Sequence, residues 1–224
     1  MAERLRLDVL LVERGLVESR QRAAALILAG KVRVEGRKAL KAGQRVAPDV
    51  EVEVLDPGEG YVSRGGFKLA SALDTFSLEV AGLVAMDVGA STGGFTDCLL
   101  RRGAKKVYAI DVGYGQLAWQ LRQDSRVVVL ERCNVRYLTR EQVPESVDLA
   151  VIDASFISLK KIIPKVLEFF KSDSRLLALI KPQFEVGRNQ VGKGGVVRDP
   201  MLHRQVVGEL EDFCRRQGLE VEGV

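Results

Sequence analysis

Four charged residues in the latter two-thirds of the chain each close, or nearly close, an apolar run. They are Asp87 in Val84-Ala-Met-Asp-Val, Asp111 in Val107-Tyr-Ala-Ile-Asp, Asp153 in Val147-Asp-Leu-Ala-Val-Ile-Asp and Lys181 in Leu176-Leu-Ala-Leu-Ile-Lys. A charge at the end of an apolar strand is expensive to desolvate unless it is paired or used, so four such placements point to chemistry more than to packing. After Asp87 the glycine turn Gly89-Ala-Ser-Thr-Gly93-Gly94 leads into a helical pattern beginning at Phe95. A strand, a tight glycine loop and a helix form the entrance of a nucleotide-type site, and an acid about 20 residues on is placed to accept hydrogen bonds from a ribose diol. Asp111 fills that place.

Asp87 discriminates between nucleotides. A dinucleotide would lay a pyrophosphate over this loop, where an acid repels it. S-adenosyl-L-methionine has no phosphate and carries an ammonium and a sulfonium. The spacing is G-x-x-x-G-G, not the G-x-G-x-x-G of dinucleotide sites. The loop therefore reads as a site for S-adenosyl-L-methionine in preference to NAD or FAD. The candidate cofactor-binding residues are Asp87, Gly89, Ser91, Thr92, Gly93, Gly94, Phe95, Asp111, Asn134 and Asp153.

The elements that must position these residues alternate from Ser63 onward. Periodicity predicts strands near 84–88, 106–111, 127–131, 147–152 and 175–180. It predicts helices near 65–76, 94–102, 115–123, 159–170 and 200–217, the last with Asp199 as N-cap and Pro200 in its first turn. Such alternation implies an α/β fold with a mostly parallel sheet covered on both faces, which binds ligands at the carboxyl ends of its strands.

The first sixty residues differ. A short helix around Leu7, Leu10 and Leu11 stops near Gly15, and a second, Arg20–Ala29, is capped by Ser19 and stopped by Gly30. Two alternating strands follow at 31–35 and 50–55. Pro57-Gly-Glu-Gly60 reads as a linker, giving domains 1–60 and 61–224. Residues 4–45 hold eleven basic and four acidic side chains, a local net charge of +7. That is a phosphate-binding footprint if the charges share a face.

Composition excludes several classes. The 224 residues carry a formal net charge of +4, and the three cysteines (Cys98, Cys133, Cys214) are odd in number and widely spaced, against a disulfide framework and in keeping with a reducing cytosol. With His203 as the one histidine, sitting in a helical run, a histidine-rich metal site and a Ser-His-Asp triad are both excluded, and no metal is expected. No apolar stretch reaches the roughly 18 residues that span a bilayer, and the N-terminus lacks an apolar signal core, so no membrane association is expected. Gly187-x-x-x-x-Gly192-Lys193 nearly matches a P-loop. Gly194 stands where Ser or Thr must hold magnesium and no helix follows, so the segment reads as a basic loop beside the site.

The motifs resemble known families. Arg6-Leu-Asp-x-Leu-Leu, Gly15, Ser19-Arg20, Ala23 and Ile27-x-x-Gly30-x-Val32-x-Val34-x-Gly36 resemble the small RNA-binding domain named after ribosomal protein S-four. That resemblance implies that the second helix faces structured RNA and that the acidic stretch from Asp49 to Glu59 faces away. Arg4, Arg6, Arg20, Arg22, Lys31, Arg33 and, beyond the domain, Arg64 are the candidate RNA-binding residues. Lys68, Asp153 and Lys181 together resemble the tetrad of the FtsJ-type ribose 2′-O-methyltransferases. The whole chain, through Ser63-Arg-Gly-Gly-Phe-Lys68-Leu, Asp87-Val-Gly-Ala-Ser-Thr-Gly-Gly-Phe95, Val151-Ile-Asp-Ala-Ser-Phe-Ile-Ser158 and Leu179-Ile-Lys-Pro-Gln-Phe-Glu185, resembles the TlyA family of hemolysin-like ribosomal RNA methyltransferases. The resemblance implies a Rossmann-like class I methyltransferase sheet, a cytoplasmic enzyme and ribosomal RNA as substrate, within ribosomal subunits. It implies catalytic roles for Lys68, Asp153 and Lys181 in a Lys-Asp-Lys-Glu tetrad. Lys181 is the expected base, Lys68 tunes it and holds the hydroxyl, and Asp153 orients both.

The resemblance places the fourth member, a glutamate, on a final strand. The sequence stops at Val224, in or just after a strand expected at 219–224, and Glu220 and Glu222 do not match. The expectation is a natural chain a few tens of residues longer, with weak activity in these 224. Two competing readings are a non-catalytic RNA-binding protein on a methyltransferase fold and a membrane-active hemolysin.

Overall fold

The computed structural model describes residues 4–17, 19–54 and 60–224, with the backbone alone at Arg188. The chain forms two compact units, Met1–Gly60 and Tyr61–Val224. The expected linker residues 57–59, with Leu55 at the end of the second expected strand and the end of the acidic stretch, lie outside the described residues.

In the first unit, strand β1 (Leu5–Arg6) leads directly into helix α1 (Leu7–Glu13), and helix α2 (Arg20–Leu28) follows. Ser19 caps α2 by accepting a hydrogen bond from the Arg22 backbone N–H, and Gly30 at φ +71° turns the chain out of it. Strands β2 (Val32–Val34), β3 (Arg37–Lys38), β4 (Arg45–Val46) and β5 (Val52–Val54) complete the unit. β2 lies between β3 and β5, antiparallel to both, while β4 pairs with β1. The two longer strands are shorter than their alternation suggests. The two-residue strands β1, β3 and β4 have too few residues to show a period. Leu7, Leu11, Ala23, Ile27 and Val32 form the closed centre of its core.

The second unit runs helix α3 (Gly65–Thr75), strand β6 (Val84–Val88), helix α4 (Gly94–Arg101), strand β7 (Lys106–Ile110), helix α5 (Trp119–Arg122) and strand β8 (Val127–Leu130). Strand β9 (Val147–Ile152), helix α6 (Ile163–Leu167), strand β10 (Phe170–Ala178) and helix α7 (Pro200–Arg216) follow. The sheet is wholly parallel, in the order β10-β9-β6-β7-β8. Side chains alternate between its faces. Met86, Val88, Tyr108, Ile110 and Ile152 pack with Ile163, Val166, Val206 and Leu210 of α6 and α7. Ala85, Val107, Ala109 and Val151 pack with Leu69, Leu73, Cys98 and Leu99 of α3 and α4. Chain order reverses at β6, so the loops after β6 and β9 diverge from a common point.

Four expected elements differ. β10 begins at Phe170, with a register shift between Phe170 and Arg175 across the polar Lys171-Ser-Asp-Ser stretch, and ends at Ala178, so Lys181 lies three residues past the strand. The helix expected at 159–170 is a 3-10 turn at Leu159–Lys161 and then α6, because Phe170 already belongs to β10 and Pro164 cannot donate an intrahelical bond. The helix expected at 115–123 shrinks to α5, since Gly115 at φ +71° holds the preceding segment in a loop. Residues 219–224 form no strand. Glu222 instead ion-pairs with Arg175 at 2.9 Å, and among the described residues β10 pairs with β9 alone.

Phe169, 1% exposed, fills the end of the α6–α7 side of the core. Phe169→Ala should destabilise the protein by about 3–5 kcal/mol in urea denaturation, with an unchanged m-value. A loss below about 1 kcal/mol would contradict this packing.

Candidate active site

Between the β6 and β9 ends lies a cavity of about 480 Å³, lined by Ser63, Arg64, Gly65 and Lys68 on one side and Gly89, Ala90, Ser91, Thr92, Gly94, Phe95 and Asp153 on the other. Its floor is the glycine loop. Ser91 takes φ +49°, and its backbone N–H donates to Asp111 Oδ2 at 2.8 Å. The Gly113 N–H donates to Asp111 Oδ1 at 2.6 Å. Asp111, the residue after β7, thus joins its own loop to the glycine loop. A carboxylate has about four acceptor sites, so each oxygen keeps room for a ligand hydroxyl.

Asp87 lies one residue inside the end of β6 and is fully buried, so it does not line the cavity as its charge suggested. Its Oδ2 accepts from Thr96 Oγ1 in the first turn of α4 at 2.7 Å, while Oδ1 is buried with no partner among the described residues. Burial pushes this carboxyl up to about 7. Hydrogen bonds from Thr96 oppose the shift, and the charges of Asp153 and Asp111 add to it.

The glycines have separate roles. A Cβ on Gly89 would stand 2.8 Å from the Asp153 carbonyl oxygen, and one on Gly94 would stand 2.2 Å from Ser63 Oγ. Gly93, at φ +95°, does not line the cavity. It faces Leu117 and Leu121, where a Cβ would come within 2.3 Å of Leu121 Cδ1. Its role is to let the α5 segment pack. Asn134 likewise stands apart from the cavity, accepting from the Arg136 N–H at 3.2 Å and capping a 3-10 turn.

The three expected catalytic residues converge in pairs. Lys68, on the first turns of α3, shares the cavity with Asp153. Lys181 Nζ is 2.5 Å from Asp153 Oδ1 in an ion pair, donates to Ser155 Oγ at 2.9 Å and lies 3.3 Å from the Asp153 carbonyl oxygen. Arg64, expected on RNA, lines the same cavity. Ser155, Ser158 and Glu185 were not among the residues the sequence singled out. Glu185 accepts from Ser158 Oγ at 2.6 Å and from the Leu159 N–H at 2.8 Å. Only their position inside the two motifs hinted at a role.

In the first unit, Arg6 and Arg20 both reach Asp8, at 3.0 and 3.2 Å, and the Arg6 guanidinium holds the Asp8 carboxyl below its usual range. Arg33 lies 3.8 Å from Glu53, the Arg4 carbonyl accepts from Arg45 at 3.0 Å, Arg22 is exposed and Lys31 is half-buried. The segment resembling a P-loop forms a 3-10 turn and a glycine turn closed by Gly195 N–H to Gly192 C=O at 3.1 Å, with no helix behind it. His203 in α7 is 2.8 Å from the Val197 carbonyl, which fixes the end of that loop. Among the described residues no helix is long and apolar enough to cross a membrane, and no cluster of three His, Cys, Asp or Glu could hold a metal ion.

Residues 61–224 match the model of the FtsJ-like methyltransferases, and residues 5–52 match that of the S4 domain. The chain is 53% identical, over its full length, to the 16S/23S rRNA (cytidine-2′-O)-methyltransferase TlyA of Mycobacterium tuberculosis, 84% of which it covers. It is 42% identical to Hemolysin A of Brachyspira hyodysenteriae, across 91% of this chain and 85% of that one. A solved structure from Streptococcus thermophilus, described as a candidate hemolysin, superposes with a TM-score of 0.74 at 41% identity, over all of this chain and 82% of that one. A parallel sheet with a glycine loop and an acid-lysine pair at its order switch, joined to an S4 domain, defines a methyltransferase-type protein with an appended small domain. The chain belongs to the FtsJ-like methyltransferase family, in its TlyA branch.

Asp87 makes stability depend on pH. Its folded carboxyl keeps a proton that the unfolded one loses near pH 4, so its contribution is complete below about pH 4 and is lost as pH rises through about 7. The urea midpoint of the wild type should therefore fall relative to that of Asp87→Asn between pH 4 and 7. A difference that stays constant with pH would refute the assignment.

Proposed function

We propose that the chain transfers a methyl group from S-adenosyl-L-methionine to a ribose 2′-hydroxyl of ribosomal RNA, in the cytoplasm, with residues 1–60 supplying RNA affinity and residues 61–224 the chemistry. The observation that carries the reading is the meeting of Lys68, the glycine loop and Asp153, itself ion-paired with Lys181, around one cavity. Ribosomal subunits, as opposed to free RNA, are the proposed form of the substrate.

The residues present fit this cofactor. Gly89 and Gly94 line the cavity with no side chain, at positions where a Cβ would collide with the Asp153 carbonyl and the Ser63 hydroxyl, so backbone alone borders the space the cofactor would take. Gly89, Ser91, Thr92, Gly94 and Phe95 would hold it, with Asp111 accepting from ribose hydroxyls. When bound, S-adenosyl-L-methionine supplies an electrophilic methyl on a sulfonium, so the reaction needs no metal.

The chain's own task is to place and deprotonate the hydroxyl. Holding two reactants in line replaces much of the entropy cost of a bimolecular encounter. A ribose hydroxyl is a weak acid, so its oxygen must lose the proton as it attacks. Lys181 accepts that proton at Nζ, held in place by Asp153 and Ser155. Lys68, on the opposite wall, donates to the hydroxyl oxygen.

The test is methyl transfer from labelled S-adenosyl-L-methionine to ribosomal subunits by the purified chain, followed by mapping of ribose methylation. Label incorporated into bases, or none at all, would sink the reading. Lys181→Ala should lower kcat by about 10²–10⁴ while cofactor affinity, read by calorimetry, stays within about twofold.

The RNA assignment has its own measurement. Replacing Arg22, Lys31 and Arg33 together by alanine should weaken binding to ribosomal RNA and flatten the salt dependence by about 0.7–0.9 in slope for each phosphate no longer neutralised. An unchanged slope would move the RNA surface elsewhere.

A further inference from the structure

Two loops carry the Asp153–Lys181 pair, and little backbone joins them. β9 and β10 stay in register to Ile152 and Ala178, and the Leu179 N–H still donates to the Ile152 carbonyl at 2.9 Å. Past that point, among the described residues, no backbone-to-backbone bond links 153–161 to 180–187. Side chains make the connections, in three successive rungs. The first is Lys181 to Asp153 and Ser155, and the second is Phe184 against Phe156, ring centroids 5.1 Å apart. In the third, Glu185 takes hydrogen bonds from the Ser158 hydroxyl at 2.6 Å and the Leu159 N–H at 2.8 Å.

The third rung is anchored at both ends. Glu185 is tied to Lys181 by a 3-10 turn, with Phe184 N–H donating to Lys181 C=O at 2.9 Å and Glu185 N–H to Pro182 C=O at 3.0 Å. Ser158 and Leu159 open the turn that seats Leu159 and Ile162 in the core, and Ser158 Oγ also accepts from the Lys160 N–H at 3.2 Å. Bonds to an ionised carboxylate are stronger than neutral ones and directional. Glu185 does not line the cavity.

We propose that Glu185 is a positioning residue for methyl transfer: by clamping the loop after β10 to the start of the 159–161 turn, it sets where Lys181 stands against Asp153. The proposal rests on the methyltransferase reading above. A displacement of about 1 Å in a reacting group can cost on the order of a hundredfold in rate. Loosening the clamp should therefore act on the chemical step and leave cofactor binding alone.

The test compares Glu185→Ala, Glu185→Gln and Ser158→Ala with the wild type in full-length protein. Glu185→Ala should lower kcat by about tenfold to a hundredfold, with the dissociation constant for S-adenosyl-L-methionine within about twofold of wild type. Glu185→Gln, whose amide can accept from the Leu159 N–H and donate to Ser158 Oγ, should recover most of the loss. Ser158→Ala removes one arm and should fall between them; it decides the matter by the same criterion if Glu185→Ala does not fold. A second readout needs no turnover. The rate at which an amine-reactive reagent labels Lys181, followed by peptide mass spectrometry against Lys68 as internal control, should rise severalfold in Glu185→Ala and return in Glu185→Gln. An unchanged kcat and labelling rate, or a parallel loss of turnover and cofactor affinity, would overturn the positioning role. A wild type that never methylates RNA would refute the functional reading, and Lys181 labelling alone would then decide whether Glu185 positions it.

Discussion

The second unit depends on one close approach. Where β6 and β9 end side by side, the Asp153 N–H donates to the Val88 carbonyl at 3.0 Å, and Gly89 turns away at φ +88°. A Cβ at position 89 would stand 2.8 Å from the Asp153 carbonyl oxygen and 3.0 Å from its carbon, both backbone atoms of the neighbouring strand's exit. They cannot yield as a flexible side chain would. A residue other than glycine would force apart the loop that forms the cavity floor and the loop that carries Asp153. Lys181 would follow, since it is held to Asp153 through both a side-chain and a carbonyl oxygen. The parallel sheet creates the crevice at its order switch, and Gly89 lets its two walls start in contact.

What could be read in the sequence was what repeats with a period or ends one. β6 and β9 were legible to the residue because each is an apolar run stopped by a turn or a charge, and Ser19 and Asp199 announced their helices as caps. Asp153 and Lys181 stood out for the same reason. The start of β10 was hidden by the polar Lys171-Ser-Asp-Ser stretch, which breaks the register without ending the strand. Residues 219–224 alternate as a strand does, yet alternation cannot supply a neighbour with which to pair. The Glu185 clamp was invisible because its bonds join residues 26 and 27 positions apart with no periodic relation. Asp87 was recognised for its type and misjudged for its reach. Its place inside the strand, on the face covered by α4, puts its carboxylate under the loop and against Thr96.

The basic first unit shows a related gap between charge counted and charge placed. Two of its arginines, Arg6 and Arg20, are gathered by the buried Asp8, with Arg6 binding both carboxylate oxygens. The cluster of three keeps one net positive charge. Each guanidinium has five donors, so both retain N–H groups beyond those given to Asp8, on side chains whose rotamers are already restrained. A phosphate meeting such a surface would find ordered donors in place of freely moving lysines, so less side-chain entropy remains to be lost on binding.

The two edges of the large sheet treat polar groups in opposite ways. At the amino edge the networks close on themselves. Asp148 accepts from the Val84 N–H at 2.8 Å and pairs with Lys171 at 2.5 Å, while Glu145 accepts from Lys106 at 2.5 Å and Tyr108 at 2.7 Å. Burial and the Glu145 charge push the Tyr108 hydroxyl well above its ordinary range, which keeps it a hydrogen-bond donor. These pairs, partly exposed at Lys106, Glu145 and Lys171, tie the starts of neighbouring strands together. At the carboxyl edge the set is less complete: among the described residues Asp87 Oδ1 is buried without a partner, the charges of Asp111 and Asp153 bear on Asp87, and Lys181 is held by Asp153 and Ser155. The amino edge is satisfied within the sheet itself, while the carboxyl edge presents Asp153 to the cavity that Lys68 also lines.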